Sequence, residues 1–129
     1  DPKKHLRQLY GFLKDDGIIV IATGDTESFM AKQLGRRWTF YIPPQHLFFF
    51  NRTTLTKLLE TEHLEPVRWF QIGKWLSFRY VLHLARTTGE SKLGAWLYDL
   101  AKVLHVERIP LYLPLRDNMV VIAQKKTHA

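Results

Sequence analysis

Cysteine is absent from this chain, which removes a disulfide framework, a thiolate nucleophile and Cys-ligated zinc. No apolar run approaches the roughly 20 residues that a membrane-spanning helix needs. The first apolar run is too short for a signal peptide, and the opening Asp1-Pro2-Lys3-Lys4 carries no Met, so an excised piece of a longer protein is expected. No G-x-S-x-G, P-loop or pair of catalytic carboxylates occurs. His5, His63, His83, His105 and His128 show no H-x-x-x-H or His/Glu spacing of ligand type, so no metal is expected. Long runs of one charge are missing too: the adjacent cations are the pairs Lys3-Lys4, Arg36-Arg37 and Lys125-Lys126. Neither internal repeats nor low-complexity segments are present.

What remains is ordinary globular material. Hydrophobic residues make up 46% and charged residues 24% of 129 residues, which excludes wholesale disorder and suits one domain with its own core. The net charge is +7 and the pI about 9.8, which raises nucleic acid or an anionic membrane as partners. The cations are scattered, and no zinc-finger spacing, RNP-type motif or recognition helix accompanies them. The bland reading is a solvated basic surface. A cytoplasmic location is expected.

Along the chain, residues 1–14 read as a helix capped by Asp1, with Pro2 in the first turn and Leu6, Leu9, Tyr10 and Leu13 on one buried stripe. Gly17, in the left-handed conformation, is expected to stop it. Residues 18–23 are continuously apolar and β-branched, as in a central parallel strand buried on both faces. Thr23-Gly24-Asp25 follows at the strand's carboxyl end, the edge where α/β sheets bind ligands. A short helix from Ser28 to Leu34 closes at Gly35. Residues 36–50 are rich in aromatics and interrupted by Pro43-Pro44, which precludes a regular helix. Asn51 caps a helix to about His63, with Leu55, Leu58 and Leu59 inward. Val67 to Ile72 is a second strand with Pro66 at its start. Two helices are expected next: Trp75, Phe78, Leu82 and Ala85 form one stripe, and Leu93, Trp96, Leu97, Leu100 and Leu104 form another. The turn between them is residues 87–91. Pro110 to Pro114 reads as an extended loop, and Met119 to Ala123 as a third strand.

In this order the pieces resemble a known family. His5-Leu6-x-x-Leu9-Tyr10-x-x-Leu13-Lys14-Asp15-Asp16-Gly17 leads into the first strand. Thr23-Gly24-Asp25, Gly35-Arg36-Arg37-Trp38 and Pro43-Pro44-x-His46-Leu47-x-x-Phe50 follow. Thr54-Leu55-x-x-Leu58-Leu59 and Asp117-Asn118-Met119-Val120-Val121 complete the set. Together they resemble the C-terminal half of class I S-adenosylmethionine-dependent methyltransferases, with Asp15-Asp16 where Pro-Gly is more usual. The resemblance implies an α/β fold: the C-terminal part of a Rossmann-like methyltransferase domain, with a three-stranded mixed sheet ordered 5-7-6, flanking helices and a helical-hairpin insertion. Residues 1–72 would form the core, 73–109 the insertion and 110–129 the final strand.

The family's glycine-rich cofactor loop has no counterpart. The glycines are 11, 17, 24, 35, 73, 89 and 94, and no two frame a G-x-G. The resemblance thus implies the substrate-side half alone, with S-adenosylmethionine belonging to the parent protein and not held by this piece. It would be inactive in isolation, with an open edge at strand 18–23 where the missing N-terminal half, or a second copy, would pair.

The implied partner is a small-molecule or lipid-like acceptor. His46 is the candidate general base, since a His suits removal of a proton from an oxygen or nitrogen nucleophile; otherwise its ring anchors the loop on a backbone carbonyl. Thr23, Asp25, Trp38, Tyr41 and Phe48 are the candidate acceptor-binding residues. Tyr41 is preferred because a buried hydroxyl wants a partner, and Asp25 competes with ordinary turn capping. Arg36 and Arg37 read as a solvated face or a grip on an acidic group. The helices over 75–105 read as a hairpin on one sheet face, a lid, or a surface for anionic membrane. The alternative function is a non-catalytic basic α/β module that contacts nucleic acid or an anionic membrane surface.

Overall fold

The computed structural model describes residues 1–43, 45–80 and 109–126. They divide into two compact units, residues 1–72 with 116–129, and residues 73–115. Among the described residues no helix is long and apolar enough to cross a membrane.

In the first unit, α1 runs Pro2–Phe12, and the Asp1 carboxylate accepts the Lys3 N–H at 3.0 Å. The expected stripe is only partly buried. Leu6 is in the core, Tyr10 and Leu13 pack against it, and Leu9 is exposed. The helix ends when Leu13 turns extended and its N–H bonds the Tyr10 carbonyl. Gly17 is not left-handed, contrary to expectation. It sits where a Cβ would meet Leu13 Cδ1 at 2.7 Å, so close approach explains it. Among the described residues positive φ occurs at Gly35 (51°), which closes α2 (Phe29–Leu34), at His63 (58°) and at Arg116 (48°). A 3₁₀ turn follows α2 at Gly35–Arg37.

The third helix, α3 (Arg52–Thr61), begins at a reciprocal cap. Asn51 Oδ1 accepts the Thr54 N–H at 2.8 Å, and Thr54 Oγ1 accepts the Asn51 N–H at 2.9 Å. Such a cap contributes about 1 kcal/mol. Leu55 and Leu59 face inward as expected, with Leu58 half-buried. At its far end Glu62 is buried, and its carboxylate accepts from Arg7 Nε at 2.7 Å and Arg7 Nη2 at 3.2 Å. That hydrogen bond and the carboxylate's charge raise the Arg7 pKa, although the guanidinium is itself exposed.

Three strands form the sheet: β1 (Ile18–Gly24), β2 (Leu64–Phe70) and β5 (Asn118–Lys125). The last strand lies in the middle, antiparallel to both neighbours. The expected mixed sheet is thereby corrected, since both pairings are antiparallel. β1 and β2 run the same way and are not paired with each other.

This arrangement corrects the reading of β1. It is an edge strand that alternates, with Ile19 buried, Ile21 packed on the core, and Ile18 and Val20 exposed. The strand buried on both faces is β5, whose Met119, Val120, Val121 and Ala123 are all in the interior, because a central strand has neighbours on each side. β2 starts three residues before the expected Val67. Pro66 lies inside it at a register shift between Pro66 and Arg68, where a missing N–H is tolerated. Beyond β2, Asn118 Nδ2 donates to the Ile72 carbonyl at 2.8 Å and its Oδ1 accepts the Ile72 N–H at 3.0 Å, so a side chain extends the ladder.

The second unit departs from the expected helical hairpin at its start. Lys74–Ser77 is a strand, β3, paired antiparallel with β4 (Pro110–Leu113), which had read as a loop. The reason lies in the Trp75–Tyr112 pair, with ring centroids 5.3 Å apart: cross-strand aromatics favour a ribbon over a helix start. Residues 78–80 are helical. The remaining stripe positions, the turn at 87–91 and His83 and His105 lie outside the described residues, as does His128.

Candidate functional site

The carboxyl end of β1 is built by three backbone ties. The Asp25 N–H donates to the Asp117 carbonyl at 3.1 Å, the Thr26 N–H to the Phe50 carbonyl at 3.0 Å, and the Ser28 N–H to the Asp25 carbonyl at 3.1 Å. The loop before α3 is thereby drawn back to the strand end, where Asp25 and Phe50 form a parallel bridge. Successive tight turns shape it: Trp38 N–H to Gly35 O, Tyr41 N–H to Trp38 O, Ile42 N–H to Phe40 O and His46 N–H to Ile42 O.

Between strand end and loop lies a small cavity of about 10 Å³ lined by Thr23, Gly24, Trp38, Phe40, His46, Phe48 and Phe49. Four of the expected residues, Thr23, Trp38, His46 and Phe48, meet there. Asp25 is buried beside it but is occupied as a turn residue, its Oδ1 accepting the Glu27 N–H at 2.9 Å. Tyr41 is exposed and stacks on Phe49 with centroids 5.0 Å apart, so it does not line the cavity.

Two features define what this cavity can do. Trp38 is 4% exposed, and its Nε1–H is buried without a hydrogen-bond acceptor. An unmet donor of this kind costs about 1–3 kcal/mol. The second feature is the His46 imidazole. It lies tilted against Phe40 with centroids 5.8 Å apart and makes no hydrogen bond to a described residue. The anchoring bond to a backbone carbonyl is therefore not formed among the described residues.

Phe40 and Phe49 come from the aromatic-rich stretch 36–50, whose rings could be expected to line a pocket, whereas Gly24 was not singled out as a lining residue. Gly24 is the most informative, because a Cβ there would meet Phe40 Cγ at 2.7 Å and Trp38 Cη2 at 2.9 Å. A glycine closing a β-branched run was the available signal. Gly24→Ala is expected to cost about 1–3 kcal/mol by overpacking and to push Trp38 and Phe40 out of place. Thermal unfolding together with the tryptophan emission spectrum measures both effects, and an unchanged protein would show that the rings give way freely.

The donor implied by the resemblance does not fit here. Ligand pockets usually span ~300–1,000 Å³, and this one is far smaller at about 10 Å³, roughly the room that one water needs. The strand-end loop Thr23-Gly24-Asp25 holds a single glycine, filled over by rings, and not an open phosphate-type or carboxylate-type cradle. Among the described residues no group of three or more His, Asp or Glu side chains could hold a metal ion.

No curated protein matches the chain. The sequence profile described as a methyltransferase domain matches residues 1–68, which is more than half of the chain and takes in α1, β1, the cavity loop and α3. On that match the chain belongs to the methyltransferase domain family.

Proposed function

We propose that this chain is the acceptor side of an S-adenosylmethionine-dependent methyltransferase, serving a small-molecule or lipid-like acceptor in a cytoplasmic setting. In this reading β1, β5 and β2 are strands five, seven and six of a Rossmann-like sheet. The cofactor-binding elements lie outside the chain, and in isolation it is inactive. Support comes from the family match over 1–68 and from the absence of a G-x-G among the glycines. β1 is left with one neighbour, and the remaining part of such a sheet, or a second copy, would take its free edge.

The observation that carries the acceptor role is the unpaired Trp38 Nε1–H, on a ring that lines a cavity walled mainly by aromatic side chains. Phe40, Phe48 and Phe49 supply flat, water-excluding walls, and Trp38 gives one directional bond, which together align an acceptor. His46 holds the proton that an oxygen or nitrogen acceptor gives up.

The test uses the parent protein that contains this chain. Trp38→Phe keeps the ring and removes the donor. It is expected to raise KM for the acceptor about fivefold with little change in kcat, since one hydrogen bond of ~1 kcal/mol binds ground state and transition state alike. Unchanged KM would reduce Trp38 to packing. In a calorimetric titration the isolated chain is expected to give no micromolar binding of S-adenosylmethionine, and micromolar binding would refute the assignment of the cofactor site elsewhere.

A further inference from the structure

We propose that the cavity loop is also a membrane-contacting surface, with an anionic lipid bilayer as its partner. The proposal rests on exposure and charge and stands apart from the methyl-transfer reading. Leu47 is 71% exposed, Phe48 53% and Ile42 44%, with Tyr41, Phe49 and Phe29 also exposed in the same unit. Large apolar side chains exposed together mark an interaction surface more often than chance placement does. The tight turns from Gly35 to His46 hold Ile42 and Leu47 in one short loop that is continuous with the cavity lined by His46 and Phe48.

Charge selects the partner. From Ser28 to Leu59 the chain contains no Asp or Glu, yet it carries Lys32, Arg36, Arg37, Arg52 and Lys57, all exposed. The wider chain is less one-sided, with 19 Lys and Arg against 12 Asp and Glu, so this stretch concentrates the excess. A protein partner with an apolar socket would not need so many cations in the same stretch of chain. A bilayer offers both halves of the match, since aromatic and aliphatic side chains enter the interface while Lys and Arg pair with anionic headgroups. Neither signal alone holds a protein stably, and the loop presents both.

Co-sedimentation of the full chain with vesicles tests this, comparing phosphatidylcholine alone with equal parts phosphatidylcholine and phosphatidylserine. Binding is expected on the mixed vesicles, with little on phosphatidylcholine alone and weakening as salt is added. The double variant Ile42→Ser, Leu47→Ser should lose about tenfold or more in affinity. Arg36→Gln and Arg37→Gln should lose about fivefold each. Phe12→Ala, an exposed side chain on α1, should bind as the unaltered chain does.

Four results would overturn the proposal. The first is no binding to the mixed vesicles. The second is binding that the Ile42/Leu47 variant leaves intact or that Phe12→Ala weakens equally. The third is a dimer in vesicle-free buffer that the Ile42/Leu47 variant dissolves, which would make the loop's partner a second copy. The last is displacement from vesicles by duplex DNA whose own binding ignores the loop variants, which would assign the charge to nucleic acid.

Discussion

Leu59→Ala is expected to lower the unfolding free energy by about 2–5 kcal/mol, the usual range for emptying a fully buried leucine site. Leu59 is 0% exposed and belongs to one cluster with Leu6, Ile19, Leu55, Leu64, Met119, Val121 and Ala123. These residues come from both long helices and all three strands of the main sheet, so no single element can relax into the space. A chain of this size has roughly 5–15 kcal/mol of stability in total, and a loss of this order would leave a large part of the population unfolded on warming. Urea denaturation followed by far-ultraviolet circular dichroism measures it. Phe12→Ala, at 87% exposure, is the matched control and should stay within about 0.5 kcal/mol of the unaltered chain. A change at Leu59 no larger than the control's would mean that α3 does not close this core.

His46→Gln in the parent methyltransferase is expected to lower kcat by about 10²–10⁴-fold for an acceptor that gives up a proton. Gln keeps much of the shape and a hydrogen-bonding end but cannot take the proton. KM for the acceptor should change little, because the ring's contact with Phe40 positions the loop and is not itself made to the substrate. His46→Ala should behave similarly. Turnover that survives the Gln substitution would sink the base role and leave His46 as a wall of the cavity.

Much of the first unit was legible before any coordinates. Asp1, Ser28, Asn51 and Gly35 were read as helix boundaries, and each is one, because capping depends on a side chain reaching a backbone group two or three residues away. Leu55 and Leu59 followed from helical spacing. The methyltransferase resemblance rested on residues in a fixed order, and the family match at 1–68 covers most of them.

The misreadings have one origin, in contacts between distant parts of the chain. Residues 18–23 looked central because they are uniformly apolar, but β1 has a neighbour on one side, and apolar composition does not count neighbours. Lys74–Ser77 fits a helical stripe and is instead a strand, since its partner lies at Pro110–Leu113, far along the sequence. The cavity itself is of this kind. Thr23, Trp38, His46 and Phe48 were each named from sequence, yet Gly24 and Phe40, whose close packing shapes the cavity, and the exposure of Tyr41 follow from how the loop folds back onto the strand end.

The sequence by itself determined where helices begin, which leucines turn inward, the family and the list of groups able to do chemistry. These are properties of spacing and residue type within a few turns of chain. Only the tertiary structure decided that β5 is the central strand, that Trp38 Nε1–H is buried without an acceptor, and that the His46 ring makes no hydrogen bond to a described residue. Each depends on which atoms lie across a gap that long-range packing closes or leaves open, and local pattern carries no record of that.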